Sequence, residues 1–242
     1  SCKARRAEPS LLRDLLRARR SGLWRLGSGV TEVHVERLRS GTGGRPPFSV
    51  IVPLAAGDDV PDALLAALSA DMEIIAVRGG TRAASLNAGA GAATGRFLWF
   101  VHADTRLAVE AIEALHRAAA RDPDALLFFD LRFDGPAVMG VNAAGARLRS
   151  RLLRLPFGDQ ALCLDSALFR RLGGYPAVER GEDHLLVWRA HRARVPVRPV
   201  GAAVTTSSRR YLAKGWAWTT VRHVGLTVTQ ALPEFLALLR GR

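Results

Sequence analysis

Cysteine is scarce in this chain: of 242 residues, only Cys2 and Cys163 are cysteines. So sparse a pair is no disulfide framework, and no CxxC motif or Cys/His cluster offers a zinc site. Cys163 stands in the apolar segment 161–164, which predicts a small core residue on a buried strand. We therefore expect a fold without cross-links, suited to a reducing cytoplasm.

Long apolar runs are absent too. No stretch approaches the roughly 20 apolar residues that a membrane span needs. The basic residues 1–6 are followed by no apolar run that could form a signal peptide. Internal repeats and low-complexity tracts are also missing. We expect a cytoplasmic protein, with peripheral contact at the inner face of the membrane as a further expectation.

Acidic residues are too few to balance the basic ones. The chain has 35 Lys and Arg against 22 Asp and Glu, a net charge of +13, and arginine supplies nearly all of the positive charge. The excess predicts an anionic partner: a nucleotide diphosphate, an anionic lipid surface or nucleic acid. An arginine-biased composition without functional meaning is the alternative. Specific nucleic-acid binding ranks last, because no zinc finger, helix-turn-helix or aromatic-studded strand motif is present.

Residues 1–47 differ in pattern from the rest. Leucines and arginines over 9–20 predict a short basic amphipathic helix, and 31–36 alternates like a strand. Residues 40–47, rich in glycine and proline, predict a linker. The sequence thus predicts a basic N-terminal appendage over 1–47 and one main domain over 48–242.

From residue 48 onward, predicted strands alternate with predicted helices. Continuous apolar runs indicate strands that are buried on both faces. The strands are expected at 48–54, 72–77, 96–101 and 125–133, and the helices at 61–68, 82–93, 109–121 and 137–155. Such alternation predicts parallel pairing with right-handed crossovers. Because ligands bind at the carboxyl ends of such strands, the chemistry is expected just after Val101.

An acidic residue stands at that point, in Val101-His102-Ala103-Asp104-Thr105. The carboxylate of Asp104 is a hard oxygen ligand, suited to a divalent cation that bridges two phosphates. A cap on the following helix is the alternative role. The local pattern leaves both roles open.

Seven short motifs follow one another along the chain. They are Ser49-Val50-Ile51-Val52-Pro53, Leu86-Asn87-Ala88-Gly89, Phe100-Val101-His102-Ala103-Asp104-Thr105, Gly158-Asp159-Gln160, Gly173-Gly174-Tyr175-Pro176, Gly181-Glu182-Asp183 and Thr206-Ser207-Ser208-Arg209-Arg210. Their order and spacing resemble those of family 2 glycosyltransferases. The spacing is similar to that of the selenodomain-associated transferase 2 subfamily. The resemblance implies an α/β fold of the GT-A type, the nucleotide-diphospho-sugar transferase-like fold. Its mixed, mostly parallel sheet with flanking helices would here lack one strand–helix unit.

The resemblance implies an inverting transfer of sugar from a nucleotide-sugar donor, a UDP- or GDP-sugar, to an acceptor that the sequence does not identify; a lipid and a small molecule are both open. His102-Ala103-Asp104 matches the family's aspartate-any-aspartate element, with His102 in the place of the first acid. This match implies that Asp104 and His102 hold Mn²⁺ or Mg²⁺. Glu182 and Asp183 match the family's acidic pair, and the second acid of that pair is the general base, which can take the acceptor's proton. Capping of the helix at 184–192 is the alternative role of these two acids, and it is compatible with catalysis.

The remaining site residues are assigned partly by the same resemblance and partly by the chemistry of their side chains. Arg78 and Arg82 are expected to grip phosphate or to stack on the base. The guanidiniums of Arg209 and Arg210 are expected to donate hydrogen bonds to the oxygens of a leaving diphosphate, although 205–210 could also be a solvated basic turn. The donor and phosphate set is Pro53, Arg78, Arg82, Asn87, His102, Ala103, Arg209 and Arg210, and the acceptor-side set is Gly158, Asp159, Gln160 and Trp216.

Two departures from the family pattern concern the nucleoside side. The first strand runs into Leu54-Ala55-Ala56 where the family has Asn-Glu, and the second ends in Val77-Arg78-Gly79-Gly80 where the family has an Asp. The helix and strand expected between Gly80 and Thr81 are missing. These departures give a second hypothesis, a non-catalytic GT-A domain that binds an anionic partner or serves as a scaffold.

Two basic segments suggest a membrane surface. Residues 211–229 combine basic side chains with Trp216 and Trp218, and 142–154 carries four arginines. Basic residues beside interfacial aromatics are typical of helices that lie on a membrane. The alternative is that Trp216 and Trp218 close the acceptor site or pack on the domain.

Overall fold

The computed structural model describes residues 23–24, 32–178, 180–209 and 225. The helix predicted at 9–20 lies outside these residues, as does the segment 211–229 apart from Gly225. The described elements, in chain order, are β1 (Leu23–Trp24), β2 (Val33–Ser40), β3 (Phe48–Leu54), α1 (Asp62–Ala67), β4 (Glu73–Arg78), α2 (Arg82–Ala92), β5 (Phe97–Phe100), α3 (Val109–Arg121), β6 (Leu126–Phe133), α4 (Met139–Leu152), a 3-10 turn (Gly158–Gln160), β7 (Cys163–Asp165), α5 (Ser166–Arg171), α6 (Glu182–Arg192) and β8 (Val197–Thr206).

The described strands form one mixed sheet in the order β1-β2-β4-β3-β5-β7-β6-β8. β3 is parallel to β4 and β5, and β6 is parallel to β8. β7 is antiparallel to both β5 and β6, so β3, β4, β5, β6 and β8 all point the same way. We call the edge where these five strands end the site edge; its strand ends are Leu54, Arg78, Phe100, Phe133 and Thr206. The predicted mixed sheet, mostly parallel in strand direction, is confirmed.

The sheet is covered on both faces, and each face has its own apolar cluster. Val50 and Trp99 lie on the face that packs against α1 and α3. Ile51 and Leu98 lie on the opposite face, against α2, α5 and α6. Burial on both faces explains why the central strands read as continuous apolar runs instead of alternating ones. Each helix and strand predicted over 48–155 is present, with bounds shifted by at most three residues.

β2 lies between β1 and β4 in the sheet. It runs antiparallel to β4, with His34 opposite Arg78 and Ser40 opposite Glu73. Val33–Ser40 therefore contribute to the sheet, although the sequence predicts an appendage over 1–47. The other side of β4 is occupied by β3, so β4 is paired on both sides. A basic N-terminal appendage over 1–47 stays a prediction.

A buried carboxylate fixes β2 to the core. Glu73, at the start of β4, is fully buried and accepts hydrogen bonds from the Thr94 N–H (2.8 Å), from the Thr94 hydroxyl (3.0 Å) and from the Ser49 hydroxyl. Arg37 of β2 completes the set, with its Nε 2.8 Å from Glu73 Oε1. Because a buried charge needs such partners, Arg37 makes β2 part of the core structure.

None of the described helices has the length and apolarity that crossing a bilayer requires.

Candidate active site

The loop after β5 carries Asp104 at the site edge. It makes a turn in which the Thr105 N–H donates to the His102 carbonyl at 3.0 Å. Helix α3 begins only at Val109, and its N-cap, Ala108, has no capping side chain. The capping role considered for Asp104 is therefore wrong. Within the described part of the chain, the half-buried carboxylate of Asp104 has no hydrogen-bond or ion-pair partner.

Arg82, the first residue of α2, joins that loop to the acidic pair. One of its terminal nitrogens contacts Nε2 of His102, and its Nε lies 2.7 Å from Oε1 of Glu182. The Glu182 side chain is only 5% exposed. Burial raises the pKa of Glu182, as does the charge of Asp183, whereas Arg82 lowers it. The contacts of Arg82 thus bring the loop after β5 and the start of α6 together.

Asp183 is held by two backbone N–H groups. Its Oδ2 accepts a hydrogen bond from the Gly158 N–H, and its Oδ1 accepts one from the His184 N–H at 2.8 Å. The N-cap of α6 is Gly181, at φ +83°, so no side chain fills the capping position. The carboxylate of Asp183 therefore has a fixed direction, facing the loop that contains Gly158.

Two buried polar atoms beside Asp183 lack a described partner. They are Oδ1 of Asp159 and Nδ1 of His184. Burial raises the pKa of Asp159 to about 6; Arg149 and Arg82 oppose this rise, and Asp183 adds to it. His184 accepts a hydrogen bond from the Trp188 indole at 2.9 Å, and burial lowers its pKa. Orphaned polar atoms are rare in folded proteins, so this spot suits a polar ligand or water.

Gln160 shapes the same loop from inside. Its amide nitrogen donates to the Phe129 carbonyl (2.8 Å), and its oxygen accepts from Arg149 (3.1 Å) and from the Phe157 N–H (3.2 Å). The side chain is fully buried. The Arg149 guanidinium also lies 3.4 Å from the centroid of the Phe157 ring. Gln160 therefore holds the acceptor-side loop in shape, and Gly158 and Asp159 are the members of that set that lie against Asp183.

The end of β8 meets the other side of the loop after β5. Arg106 exchanges two backbone hydrogen bonds with Thr205, of 2.7 and 3.1 Å, and its guanidinium lies 3.5 Å from Asp134. Asp134 also accepts the Ser208 N–H at 2.6 Å, which lowers its pKa. Arg209 follows directly, with its Nε donating to the Ser207 hydroxyl at 3.0 Å. Arg209 is therefore at the site edge, while Arg210 and Trp216 lie outside the described residues.

Pro53 and Arg78 lie at the same edge, but no described contact joins them to the cluster around Arg82. Pro53 is half-buried opposite Val77. Arg78 forms ion pairs of 2.8 Å with Glu36 and with Asp59. Its guanidinium is thus engaged with β2 and with the segment after β3.

The side chain of Asn87 holds the backbone at Tyr175 in place. Its amide nitrogen donates to the Tyr175 carbonyl at 2.8 Å, and its oxygen accepts the Tyr175 N–H at 2.9 Å. Tyr175 is buried, and its pKa is raised by that burial and by the charge of Asp183. Asn87 therefore positions Tyr175 near the acidic pair, and a donor-binding role for Asn87 stays a prediction.

Three contributors carry no distinguishing signal in the sequence. Arg149 is one of four arginines in 142–154, and only the fold shows that it binds Gln160. Arg106 and Asp134 have no motif, and only the fold brings both of them to the end of β8. Tyr175 does stand in a motif, so its place could have been predicted although its contact with Asn87 could not.

The loop after β5 fits a divalent cation that is shared with a ligand. Among the described residues, no three His, Cys, Asp or Glu side chains converge as a metal site. Asp104 offers one hard oxygen donor, whereas Nε2 of His102 contacts Arg82. Mg²⁺ sites commonly use one or two carboxylates and complete their coordination with phosphate oxygens and water. The residues therefore suit Mg²⁺ or Mn²⁺ held between Asp104 and a diphosphate, and they do not form a cage of protein ligands.

The sequence of this region is similar to a known family. Residues 56–171 match the family model of glycosyl transferase family 2. The match includes the loop after β5 and the Gly158–Gln160 turn, and it ends before α6. No curated protein matches the chain significantly in sequence.

Solved structures share the fold at low sequence identity. The S. aureus TarS fragment 1-349 is 16% identical with a TM-score of 0.51, over 66% of this chain and 60% of that one. The mannosyltransferase PcManGT from Pyrobaculum calidifontis, in complex with GDP-Man and Mn²⁺, is 17% identical with a TM-score of 0.50, over 66% of this chain and 56% of that one. The chain thus spans less than two thirds of either structure. It has the GT-A fold, and its residues 56–171 are similar to family 2 glycosyltransferases.

Proposed function

We propose that this protein is a family 2 glycosyltransferase that moves a sugar from a UDP- or GDP-sugar to an acceptor hydroxyl, with inversion and with Mn²⁺ or Mg²⁺. One observation carries the proposal: Arg82 contacts both His102 and Glu182, so the donor motif and the acid motif lie together at the site edge. The GT-A fold and the family match support the reaction class. A structure of the same fold holds GDP-Man and Mn²⁺, which supports this donor chemistry.

On the donor side, we assign the diphosphate to the loop after β5 and the end of β8. Asp104, with His102 beside it, would hold a cation that neutralises charge on the leaving diphosphate. Arg209 and Arg210 would donate to its oxygens, since guanidinium forks match phosphate geometry. Ala103 lies between the two metal-side residues, where its backbone can approach the phosphates.

On the acceptor side, Asp183 is the proposed general base. Each of its oxygens accepts one backbone N–H, and a carboxylate oxygen has a second lone pair for the acceptor O–H. The acceptor oxygen forms a bond to the anomeric carbon as the bond from that carbon to the diphosphate oxygen breaks. Asp183 takes the hydroxyl proton in that step, and attack opposite the leaving group inverts the anomeric centre. Glu182, through its ion pair with Arg82, holds the start of α6 in position beside the loop after β5.

The acceptor is assigned to the space beside Gly158 and Asp159. A lipid or a small molecule is the acceptor class considered from the sequence, and Trp216 is a further predicted contact outside the described residues. Membership of the selenodomain-associated transferase 2 subfamily, a cytoplasmic location and peripheral membrane contact stay predictions from the sequence.

The test measures sugar transfer and donor hydrolysis by the full chain with a panel of UDP- and GDP-sugars and Mn²⁺. Asp104→Ala and Asp183→Ala should each lower turnover by at least about 100-fold, the usual contribution of such groups. Asp124→Ala is the matched control, because Asp124 is exposed and makes no described contact. Unchanged turnover in both site variants would exclude the assignment.

A second candidate, the non-catalytic GT-A domain, is favoured by the engagement of Arg78 with Glu36 and Asp59 and by the antiparallel pairing of β2 with β4. Both features lie at β4, on the side of the sheet where the family is expected to bind the nucleoside. Calorimetry with the same donor panel plus Mn²⁺ separates the two functions. Metal-dependent binding of any nucleotide sugar counts against a scaffold, and a folded protein that binds none supports it.

A further inference from the structure

One side of α4 carries a stripe of exposed apolar side chains, and two of them, Leu148 and Leu152, also line an open cavity beside the helix. Val141, Leu148 and Leu152 are 61%, 62% and 71% exposed. Their spacing of seven and four residues places them on one side of the helix. Among the described residues, large exposed apolar side chains are concentrated in α4 and at its two flanking positions, Val138 and Leu153, and the others are Leu38 and Val109. α4 therefore presents to solvent the kind of stripe that surface helices normally turn inward.

A basic cavity lies between this helix and the sheet. Its volume is about 560 Å³, and α4, β6 and Ala203 of β8 line it. Arg151 binds both oxygens of Asp130, at 3.0 and 2.7 Å, and Arg147 lies 3.7 Å from the same carboxylate. Arg132 also lines the cavity, and it forms no ion pair with another described residue. Three guanidiniums thus face one carboxylate, which leaves an excess of positive charge.

An apolar stripe beside an excess of arginine matches one chemical class of partner, the anionic phospholipid. Amphipathic helices with basic residues beside the apolar face lie in the membrane interface, where acyl chains meet headgroups. Guanidiniums pair well with phosphate oxygens, and anionic leaflets attract basic surfaces. We propose that α4 is the docking surface of this protein on anionic membranes. Val141, Leu148 and Leu152 enter the acyl boundary, and the guanidiniums of the cavity meet lipid phosphates.

The same helix holds the acceptor-side loop. Arg149 of α4 donates to Gln160 at 3.1 Å and to the Leu155 carbonyl at 2.9 Å. A membrane under α4 therefore lies near Gly158 and Asp159, where a lipid acceptor would be delivered. This consequence rests on the proposed function, whereas the docking itself does not.

The experiment is flotation of the full chain with vesicles, in the absence of donor and metal. We expect binding to an equal mixture of phosphatidylglycerol and phosphatidylcholine, little binding to phosphatidylcholine alone, and weakening by salt. The double variant Leu148→Ser/Leu152→Ser should bind about tenfold more weakly, because two apolar side chains no longer enter the membrane. Val109→Ser is its matched control: Val109 is 68% exposed, lies on α3, and should leave binding unchanged.

The electrostatic part has its own pair of variants. Arg132→Gln should weaken binding about fivefold, since one basic residue near an anionic surface contributes about that factor. Arg117→Gln removes the same charge from an exposed position on α3 and should have little effect.

Several results would overturn the proposal. Equal binding to the two vesicle types would do so, as would wild-type binding by the Leu148→Ser/Leu152→Ser variant. A lowered melting temperature of that variant with unchanged vesicle binding would mean that the protein itself covers the stripe. A change of oligomeric state in place of vesicle binding would assign the stripe to a second copy. Because no donor is present, a lack of transferase activity does not affect the result.

Discussion

Arg82 Nε lies 2.7 Å from Glu182 Oε1, and the same guanidinium contacts His102. One arginine thus joins the start of α2, the loop after β5 and the start of α6. Glu182 is nearly buried, and burial raises its pKa while Arg82 lowers it. The carboxylate therefore depends on this guanidinium for charge compensation.

Removal of Arg82 tests that dependence. Arg82→Met leaves a buried carboxylate without its partner, and we expect the free energy of unfolding at pH 8 to fall by about 1–3 kcal/mol, measured by urea denaturation. The deficit should shrink as the pH falls, because Glu182 then takes up a proton. Adding Glu182→Gln should restore stability without restoring turnover. Arg117→Met, whose partner Glu113 is exposed, is the control. A double variant no more stable than Arg82→Met would contradict this account.

The close approach of Gly158 to Asp183 gives a second prediction. A Cβ at Gly158 would lie 2.7 Å from Oδ2 of Asp183 and 3.4 Å from the Arg82 guanidinium, so Gly158→Ala must displace the proposed base. A displacement of about 1 Å can lower kcat by about 100-fold, and we expect that loss while donor affinity is kept. Gly145→Ala is the control: it meets open space on α4, should stabilise the helix by up to about 1 kcal/mol, and should leave kcat unchanged. Full activity of Gly158→Ala would mean that Asp183 is not the base.

The raised pKa of Asp159 predicts how stability depends on pH. Its pKa is about 6 in the folded protein against 3.8 ordinarily, so between these values the folded state binds more protons than the unfolded state. Stability therefore falls as the pH rises through this window, by up to about 3 kcal/mol for two pKa units. Asp159→Asn should remove that fall, so its advantage over wild type is largest at pH 8 and smallest near pH 4. Urea denaturation across this range measures it, and parallel curves for the two proteins would refute the prediction.

The pairing of Asn87 with the Tyr175 backbone separates two roles for this side chain. Asn87→Ala removes two hydrogen bonds and leaves two backbone groups unpaired, so we expect a loss of about 3 kcal/mol in unfolding free energy. Donor affinity should stay the same, because Tyr175 already uses both polar atoms of the amide. Denaturation and donor calorimetry on the same variant are the measurements. Weaker donor binding with unchanged stability would instead support the donor-binding role predicted from the sequence.

Much of the fold follows from local pattern. β3 and the helix at Val109–Arg121 lie where they were predicted, because a strand buried on both faces and an amphipathic helix each leave a periodic signal. The place of β2 in the sheet does not follow. Its alternation indicates one buried face, but its pairing with β4 and the Arg37–Glu73 ion pair depend on residues distant in the chain.

The candidate site divides in the same way. Asp104 was predicted from its place at the end of a strand, and Asp183 from its match to the family's acidic pair. That Arg82 connects their segments could not be predicted, because such a contact is set by how α2 and α6 pack. The contact of Arg149 with Gln160 could not be predicted either, because a surface arginine and an arginine that supports a loop look alike in sequence.

The direction of β2 has a practical consequence. Because His34 lies opposite Arg78 and Ser40 lies opposite Glu73, β2 begins beside the strand ends that carry the candidate site and ends at the far rim of the sheet. A fluorophore or affinity label attached at Glu32 would therefore report on the site edge. One attached in the turn after Ser40 would sit on the opposite side of the molecule, out of the way of any substrate.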